Sequence, residues 1–146
     1  MILNITGSTK TTRAMVTSTA AFGMIELGLR SLSSLKINIK LINMPEGNYG
    51  LCSANDEDDK PWQPMRNFTI EVNKNMGISM IVRTVLHELV HVKQFARGEL
   101  DSKYKGMRWK TAHITDDVKY MDLPWEKEAY KMEDKLAAKF WSENLI

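Results

Sequence analysis

Five consecutive residues, His87-Glu88-Leu89-Val90-His91, constrain this chain more than any other feature, because they sit inside an otherwise apolar run from residue 78 to residue 95. Two histidines four apart on a helix project from one face, one turn above the other. Their imidazoles can converge on a single ion, and Glu88 stands beside them, within reach of a water at that ion. This is the H-E-x-x-H arrangement, in which the histidines hold zinc and the glutamate serves as general base.

The surroundings of the motif decide how it is read. Residues 79–97 form one helical pattern, in which Met80, Ile81, Val82, Val85, Leu86, Leu89, Val90, Val92 and Phe95 cover most of the circumference. Such a helix is buried on nearly all sides. Its polar exceptions, Thr84, His87, Glu88, His91 and Gln94, recur at spacings of three and four and form one stripe. A buried carboxylate without compensation is costly, so the stripe requires a cleft, a cation or water. The competing reading is a pair of core histidines, with Glu88 salt-bridged to Arg83 or a lysine. The stripe weighs towards a metal-dependent peptidase.

Composition excludes several other classes. A chain of 146 residues has the size of one domain, so residues 1–146 are read as a single unit. The 20 basic and 18 acidic residues nearly cancel and no long basic block appears, which leaves nucleic-acid binding without electrostatic support. Cys52, the single cysteine, excludes an internal disulfide framework and fits a reducing compartment. The first seven residues lack the basic flank and apolar core of a secretion signal. The apolar patch at 14–29 is interrupted by Thr17, Ser18, Thr19 and Glu26 and is too short to span a bilayer. The expectation is a soluble cytoplasmic protein without a membrane partner.

Along the chain, residues 11–32 read as a helix with Met15, Phe22, Ile25, Leu29 and Leu32 on one side. Residues 35–41 alternate apolar and polar strictly, as a half-buried strand does. Residues 45–50 carry turn chemistry, and 51–54 make a short second strand. The acidic loop at 55–61 could attract calcium, although it lacks the glycine and closing glutamate of an EF-hand loop. Residues 68–73 alternate again, as the strand before the motif helix. Gly98 is a C-cap for that helix, and 106–114 is a weaker strand containing Trp109 and His113. Asp122 and Pro124 mark the start of a last helix, running to about 144 and burying Trp125, Ala129, Met132, Leu136 and Phe140. The order predicts an α+β domain built in layers.

A catalytic zinc takes three protein ligands and keeps a position open for water. The motif supplies two, and His113, Glu126 and Glu128 are the candidates for the third. With Ala129 at the centre of the buried face, Glu126 lies roughly 60° from that centre and Glu128 roughly 100° off on the other flank. This geometry favours Glu126 as the carboxylate that looks inward. Glu128 reads more simply as an acid complementing the helix dipole.

Taken together, His87-Glu88-Leu89-Val90-His91-Val92-Lys93-Gln94 and the later Pro124-Trp125-Glu126-Lys127-Glu128-Ala129 resemble the zincin metallopeptidases of the glutamate-ligand kind. They look closest to small metallopeptidase-like proteins encoded by tailed phages. The likeness covers residues 68–140, and the paired motifs are much more specific than either alone. It implies a minimal zincin-like domain: a small mixed or antiparallel sheet packed on an N-terminal helix, the central motif helix and a C-terminal glutamate helix. It further implies His87, His91 and Glu126 as zinc ligands and Glu88 as base. A phage or virion protein would be a natural partner, in the host cytoplasm or the virion. Many such proteins carry an aspartate four residues after the ligand glutamate, orienting a ligand histidine. Here that position is Tyr130, and the support of the histidine is left unassigned.

The expected chemistry is peptide hydrolysis by a metal-activated water, with Glu88 moving the proton. An oxyanion donor besides the metal is needed, and His113, Tyr120 and Tyr130 are the candidates. The strand at 68–73 is expected to hold an extended peptide substrate by edge pairing. Two alternatives remain beside the peptidase. One is a structural or assembly protein that retains a vestigial zinc. The other is a SprT-like zincin with His113 as third ligand.

Overall fold

In the computed structural model, residues 1–55, 64–101 and 107–143 are described. The strict alternation after Leu35 becomes the strand β2, Lys36–Ile42, which follows an opening strand β1, Ile2–Thr6. Strands β3 (Gly50–Ala54) and β4 (Asn67–Asn73) complete a four-stranded sheet in the order β1-β2-β4-β3. The first three in that order run parallel, and β3 pairs antiparallel with β4. Period-two patterning turns Ile37, Ile39 and Leu41 of β2 and Phe68, Ile70 and Val72 of β4 into the core. Lys36, Asn38 and Lys40 point to the opposite face, where Asn38 accepts a hydrogen bond from Asn4 of β1.

Helices α1 (Lys10–Glu26) and α2 (Ile78–Ala96) lie against the sheet, and α3 (Pro124–Glu143) packs on both of them. Helix α2 packs on α1 and the sheet on one side and on α3 on the other. It is therefore buried almost all round, and His87, Glu88, His91 and Gln94 are buried with its apolar residues. Its end is a Schellman motif. Gly98 has φ +72, its N–H donates to the Phe95 carbonyl, and the Glu99 N–H donates to that of Gln94. The architecture is α+β, with a mixed sheet and the three helices expected around it.

Several sequence expectations need correction. The opening residues form β1, a strand that their short apolar-polar alternation does not announce. The first helix ends at Glu26, six residues short of the expected boundary, because Gly28 takes the left-handed φ of +69 and the chain turns into a 3₁₀ segment at Leu29–Ser31. Its fully buried residues are Val16, Thr19, Ala20, Gly23 and Met24; of the expected face, Met15, Phe22 and Leu32 pack partly buried against the core, Leu29 is buried, and Ile25 is exposed. The reason is close helix packing: a Cβ on Gly23 would lie 2.8 Å from Leu89 Cδ1. Small residues bring the two helices together where the larger ones would hold them apart.

Strand β4 lies between β2 and β3, so both of its edges are already paired. Among the described residues, the outer edges of this sheet are those of β1 and β3, not residues 68–73. The weak strand expected at 106–114 is instead a hairpin, β6 (Met107–Trp109) and β7 (Ala112–Ile114), with Lys110 at φ +58 in its turn. With β5 (Leu100–Asp101) it makes a second, antiparallel sheet. Trp109 packs near Trp125 at the start of α3, with ring centroids 6.5 Å apart. Asp122 belongs to a 3₁₀ turn, Tyr120–Asp122, and the Leu123 carbonyl receives the first N–H groups of α3. As expected, α3 buries Trp125, Ala129, Leu136 and Phe140, with Met132 partly buried. The acidic loop considered for calcium falls almost wholly outside the described residues, as do residues 106 and 144. Among the described residues, no helix is long and apolar enough to cross a membrane.

Candidate metal centre

The 3.6-residue period places His87 and His91 one turn apart on the face of α2 that meets α3. There the first turn of α3 presents Glu126. The Nε2 atoms of His87 and His91 lie 3.1 and 3.2 Å from the same oxygen, Glu126 Oε1. All three residues are buried, and one ligating atom from each falls within 4.8 Å of the others. Bonds of about 2.0–2.1 Å in a tetrahedral site put neighbouring ligand atoms about 3.3 Å apart. Each imidazole nitrogen matches that spacing to the carboxylate oxygen, and two nitrogens with one oxygen suit a divalent metal ion. The group can hold one.

The outer nitrogens of both rings are also held. His87 Nδ1 lies 2.9 Å from Glu133 Oε1, and the second oxygen of Glu133 lies 2.7 Å from Arg83, which also pairs with Asp134. His91 Nδ1 lies 2.8 Å from Gln94 Oε1, while the Gln94 amide donates to the Trp125 carbonyl and to Glu128. Acceptors at both Nδ1 atoms demand N–H there, which leaves each Nε2 to face Glu126. The Tyr130 ring packs against His87, 4.5 Å between centroids, and its hydroxyl lies 3.3 Å from that of Tyr120.

Electrostatics follow from this wiring. Burial pulls the His87 pKa down, but its bonds to Glu126 and Glu133 outweigh burial and raise it to about 9. Burial also pulls His91 down, and its bond to Glu126, with the charges of Glu126 and Glu88, outweighs it and raises the pKa. Burial pushes Glu126 up, yet its bonds to the two histidines bring it down to about 2. Glu88 differs. Burial raises its carboxyl above the usual range, with the nearby histidines offsetting part of the effect. Among the described residues, no side-chain hydrogen bond or ion pair engages Glu88, and Arg83 is committed to Glu133 and Asp134. Burial, followed by the charge of Glu88, pushes the Cys52 thiol well up, which fits a packed residue better than a nucleophile.

Glu88 looks onto open space on two sides. A cavity of about 570 Å³ is walled by Tyr49, Met80, Arg83, His87 and Tyr130. Another of about 260 Å³ lies towards Cys52, His91, Phe95, Trp125 and Glu126. Gly50, Glu88 and Tyr120 border both. Gly50 makes this junction possible, since a Cβ there would meet Thr84 Cγ2 at 2.6 Å and Glu88 Cγ at 3.4 Å.

Of the residues singled out in the sequence, His87, Glu88, His91 and Glu126 come together. Glu128 does not join them; it accepts from Lys93 and Gln94, a firmer tie than the helix dipole expected for it. His113 is exposed on β7, opposite Arg108, and is neither in the ligand group nor in the wall of either cavity. Tyr120 and Tyr130 lie at the site. The reading missed Glu133 and the role of Gln94. Glu133 had a signal: it lies seven residues after Glu126, two turns along the same helical face. Comparisons with protein-family models, with curated proteins and with solved structures find no match to this chain.

Proposed function

We propose that this protein is a zinc-dependent peptidase of zincin type, with His87, His91 and Glu126 as ligands and Glu88 as general base. The observation that carries the reading is the convergence of both histidine Nε2 atoms on Glu126 Oε1, beside the buried carboxylate of Glu88, which makes no side-chain hydrogen bond among the described residues. A structural site closes its coordination sphere, whereas a catalytic one leaves a position open to solvent and substrate. Here His87 borders the larger cavity, and His91 and Glu126 the smaller one, on either side of Glu88. A bound zinc would supply Lewis acidity, activating a water and polarising the scissile carbonyl.

The chain's own residues do the rest. Glu88, with its raised pKa, is suited to take a proton from the attacking water and to hand it to the leaving amine. Tyr120 borders both cavities and is a hydroxyl donor for the developing oxyanion. Extended substrate would pair with the free edge of β3, whose Gly50 sits against Glu88. Glu133 and Gln94 fix the tautomers of the ligand histidines.

The test is zinc-dependent cleavage of denatured casein and of a proteome-derived peptide library, with Glu88→Gln as the blank. Cleavage abolished by chelator and by that substitution supports the reading. A protein that holds zinc stoichiometrically yet cleaves nothing in either substrate would favour a structural or assembly role, for example in a virion. Zinc binding that survives loss of Glu126 but not of His113 would favour the SprT-like alternative.

A further inference from the structure

We infer that strand β1 pairs antiparallel with the β1 of a second copy of this chain, joining two four-stranded sheets into one continuous sheet. The inference is independent of the peptidase reading, because neither cavity beside Glu88 is walled by residues of β1 or α1.

The strand itself supplies the hydrogen bonds. Ile2 N–H donates to the Leu35 carbonyl, so the backbone groups of Ile2, Asn4 and Thr6 face β2 and those of Leu3 and Ile5 face the outer edge. Among the described residues, nothing pairs with that edge. An exposed edge is ordinarily guarded by a lysine, a proline, a bulge or a covering loop. Strand β1 has neither charge nor proline, and its register with β2 runs without a bulge from Ile2 to Thr6. A twofold axis at Asn4 sets Leu3 opposite Ile5 of the copy and Ile5 opposite its Leu3. Both outward-facing residues of each strand then exchange N–H···O bonds with the other. The same register joins the side chains of Leu3 and Ile5, which are only partly buried against the core.

The helix beside the strand fits a copy at that place. Helix α2 lies against β3 and β4, and α1 turns Gly23 towards Leu86 and Leu89 of α2. At about 100° per residue, Ala14, Thr17 and Ala21 lie on the side of α1 turned away from α2, towards the β1 end of the sheet. All three are exposed. From Ala14 to Ile25 this helix carries no charged residue, although the solvated face of a helix is normally polar and charged. The exposed side of α3 follows that rule with Lys127, Lys131, Asp134 and Lys135. Helix α1 is the crossover between the parallel strands β1 and β2, so the α1 of the copy would lie two strand spacings away, about 10 Å. That is the separation of packed helices, and alanine and threonine fit it where lysine or glutamate would not. A second copy matches both surfaces at once, since a twofold axis sets each patch against itself.

The test is sedimentation velocity on the full chain from low to high micromolar concentration, where a dimer should form as concentration rises. Ala21→Arg, at an exposed helix position, should weaken that dimer by at least ~10-fold by setting an unpaired charge in the contact. Its melting temperature should match that of wild type. Asn4→Cys should give a disulfide-linked dimer on mild oxidation, since Cα atoms of such a non-hydrogen-bonded pair lie ~4.5 Å apart, within the span of a disulfide. Asn38→Cys, one strand further in on the same face, should not link, and neither should wild type, whose single thiol is Cys52. A monomer at every concentration would overturn the inference. So would a dimer that ignores Ala21→Arg, that leaves Asn4→Cys unlinked, or that links Asn38→Cys equally fast.

Discussion

Glu133 Oε1 lies 2.9 Å from His87 Nδ1, and Glu133 sits two helical turns beyond the carboxylate that faces the other nitrogen of the same ring. One helix thus presents two carboxylates to the two ring nitrogens of a single histidine. Arg83 grips the far oxygen of Glu133 and keeps the carboxylate from turning away. In the zincin-like pattern an aspartate four residues after the ligand glutamate would do this work. Tyr130 at that position instead packs its ring on the imidazole.

Glu133 should therefore matter to the metal without touching it. Glu133→Ala is expected to lower zinc affinity by ~10–100-fold, the usual cost of removing such a partner. Glu133→Gln keeps an acceptor oxygen and should recover a substantial part. Competition against a chromophoric chelator provides the ranking. Equal affinity for wild type and Glu133→Ala would show that the ring needs no such support.

The ligand set makes a sharper ranking. His87→Ala, His91→Ala and Glu126→Ala should each remove stoichiometric zinc, because two remaining ligands bind weakly. His113→Ala, exposed on the β7 hairpin, should retain it fully. Glu128→Ala should lose only modestly, through the Gln94 amide that Glu128 helps to hold. Elemental analysis after gel filtration reads all five. Zinc retained by Glu126→Ala would remove the carboxylate from the coordination sphere.

Proton competition should be visible at unusually high pH. Zinc takes neutral imidazole, and the His87 pKa lies at about 9 with its Nε2 facing Glu126. Below that value zinc must displace a proton, so affinity should rise with pH across 7 to 9, by up to ~10-fold per unit for the His87 proton displaced. Glu126, at about 2, is ionised throughout that window and adds nothing to the slope. The sign is a rise with pH, with proton release on binding. Chelator competition at several pH values, with released protons followed by an indicator dye, measures it. Affinity flat above pH 7 would mean that the histidines titrate as ordinary imidazoles.

Much of the centre was legible because helical periodicity carries three-dimensional information over short distances. The spacing of His87 and His91, and the angular place of Glu126 relative to Ala129, needed no tertiary knowledge. The buried stripe with Thr84 and Gln94 followed from the same period. Other features depend on how elements meet. Nothing local in Phe68-Thr69-Ile70 says that both edges of this strand are taken, because β2 and β3 reach β4 from earlier parts of the chain. The true face of α1 was obscured because Ala20 and Gly23 contribute by absence of bulk, which an apolar moment does not register. His113 had no periodic partner at all, and its hairpin turns it to solvent.

Gly50 tests whether the approach of β3 to the motif helix serves the chemistry. A Cβ at this position would lie 2.6 Å from Thr84 Cγ2 and 3.0 Å from the Glu71 carbonyl oxygen, which is backbone and cannot swing aside. Gly50→Val must therefore displace β3 or the helix face that carries Glu88. Overpacking of this kind costs ~1–3 kcal/mol in stability. Peptidase activity should fall by more than ~10-fold, since a misplacement of about 1 Å costs on the order of 100-fold. Zinc affinity should change little, because the three ligands lie on α2 and α3. Gly77→Ser is the control: that glycine has free space around it and N-caps α2, where serine is favoured. It should leave activity unchanged. Thermal melts separate lost folding from lost alignment. A Gly50→Val protein that melts within a few degrees of wild type, holds zinc and cleaves at full rate would detach β3 from the reaction.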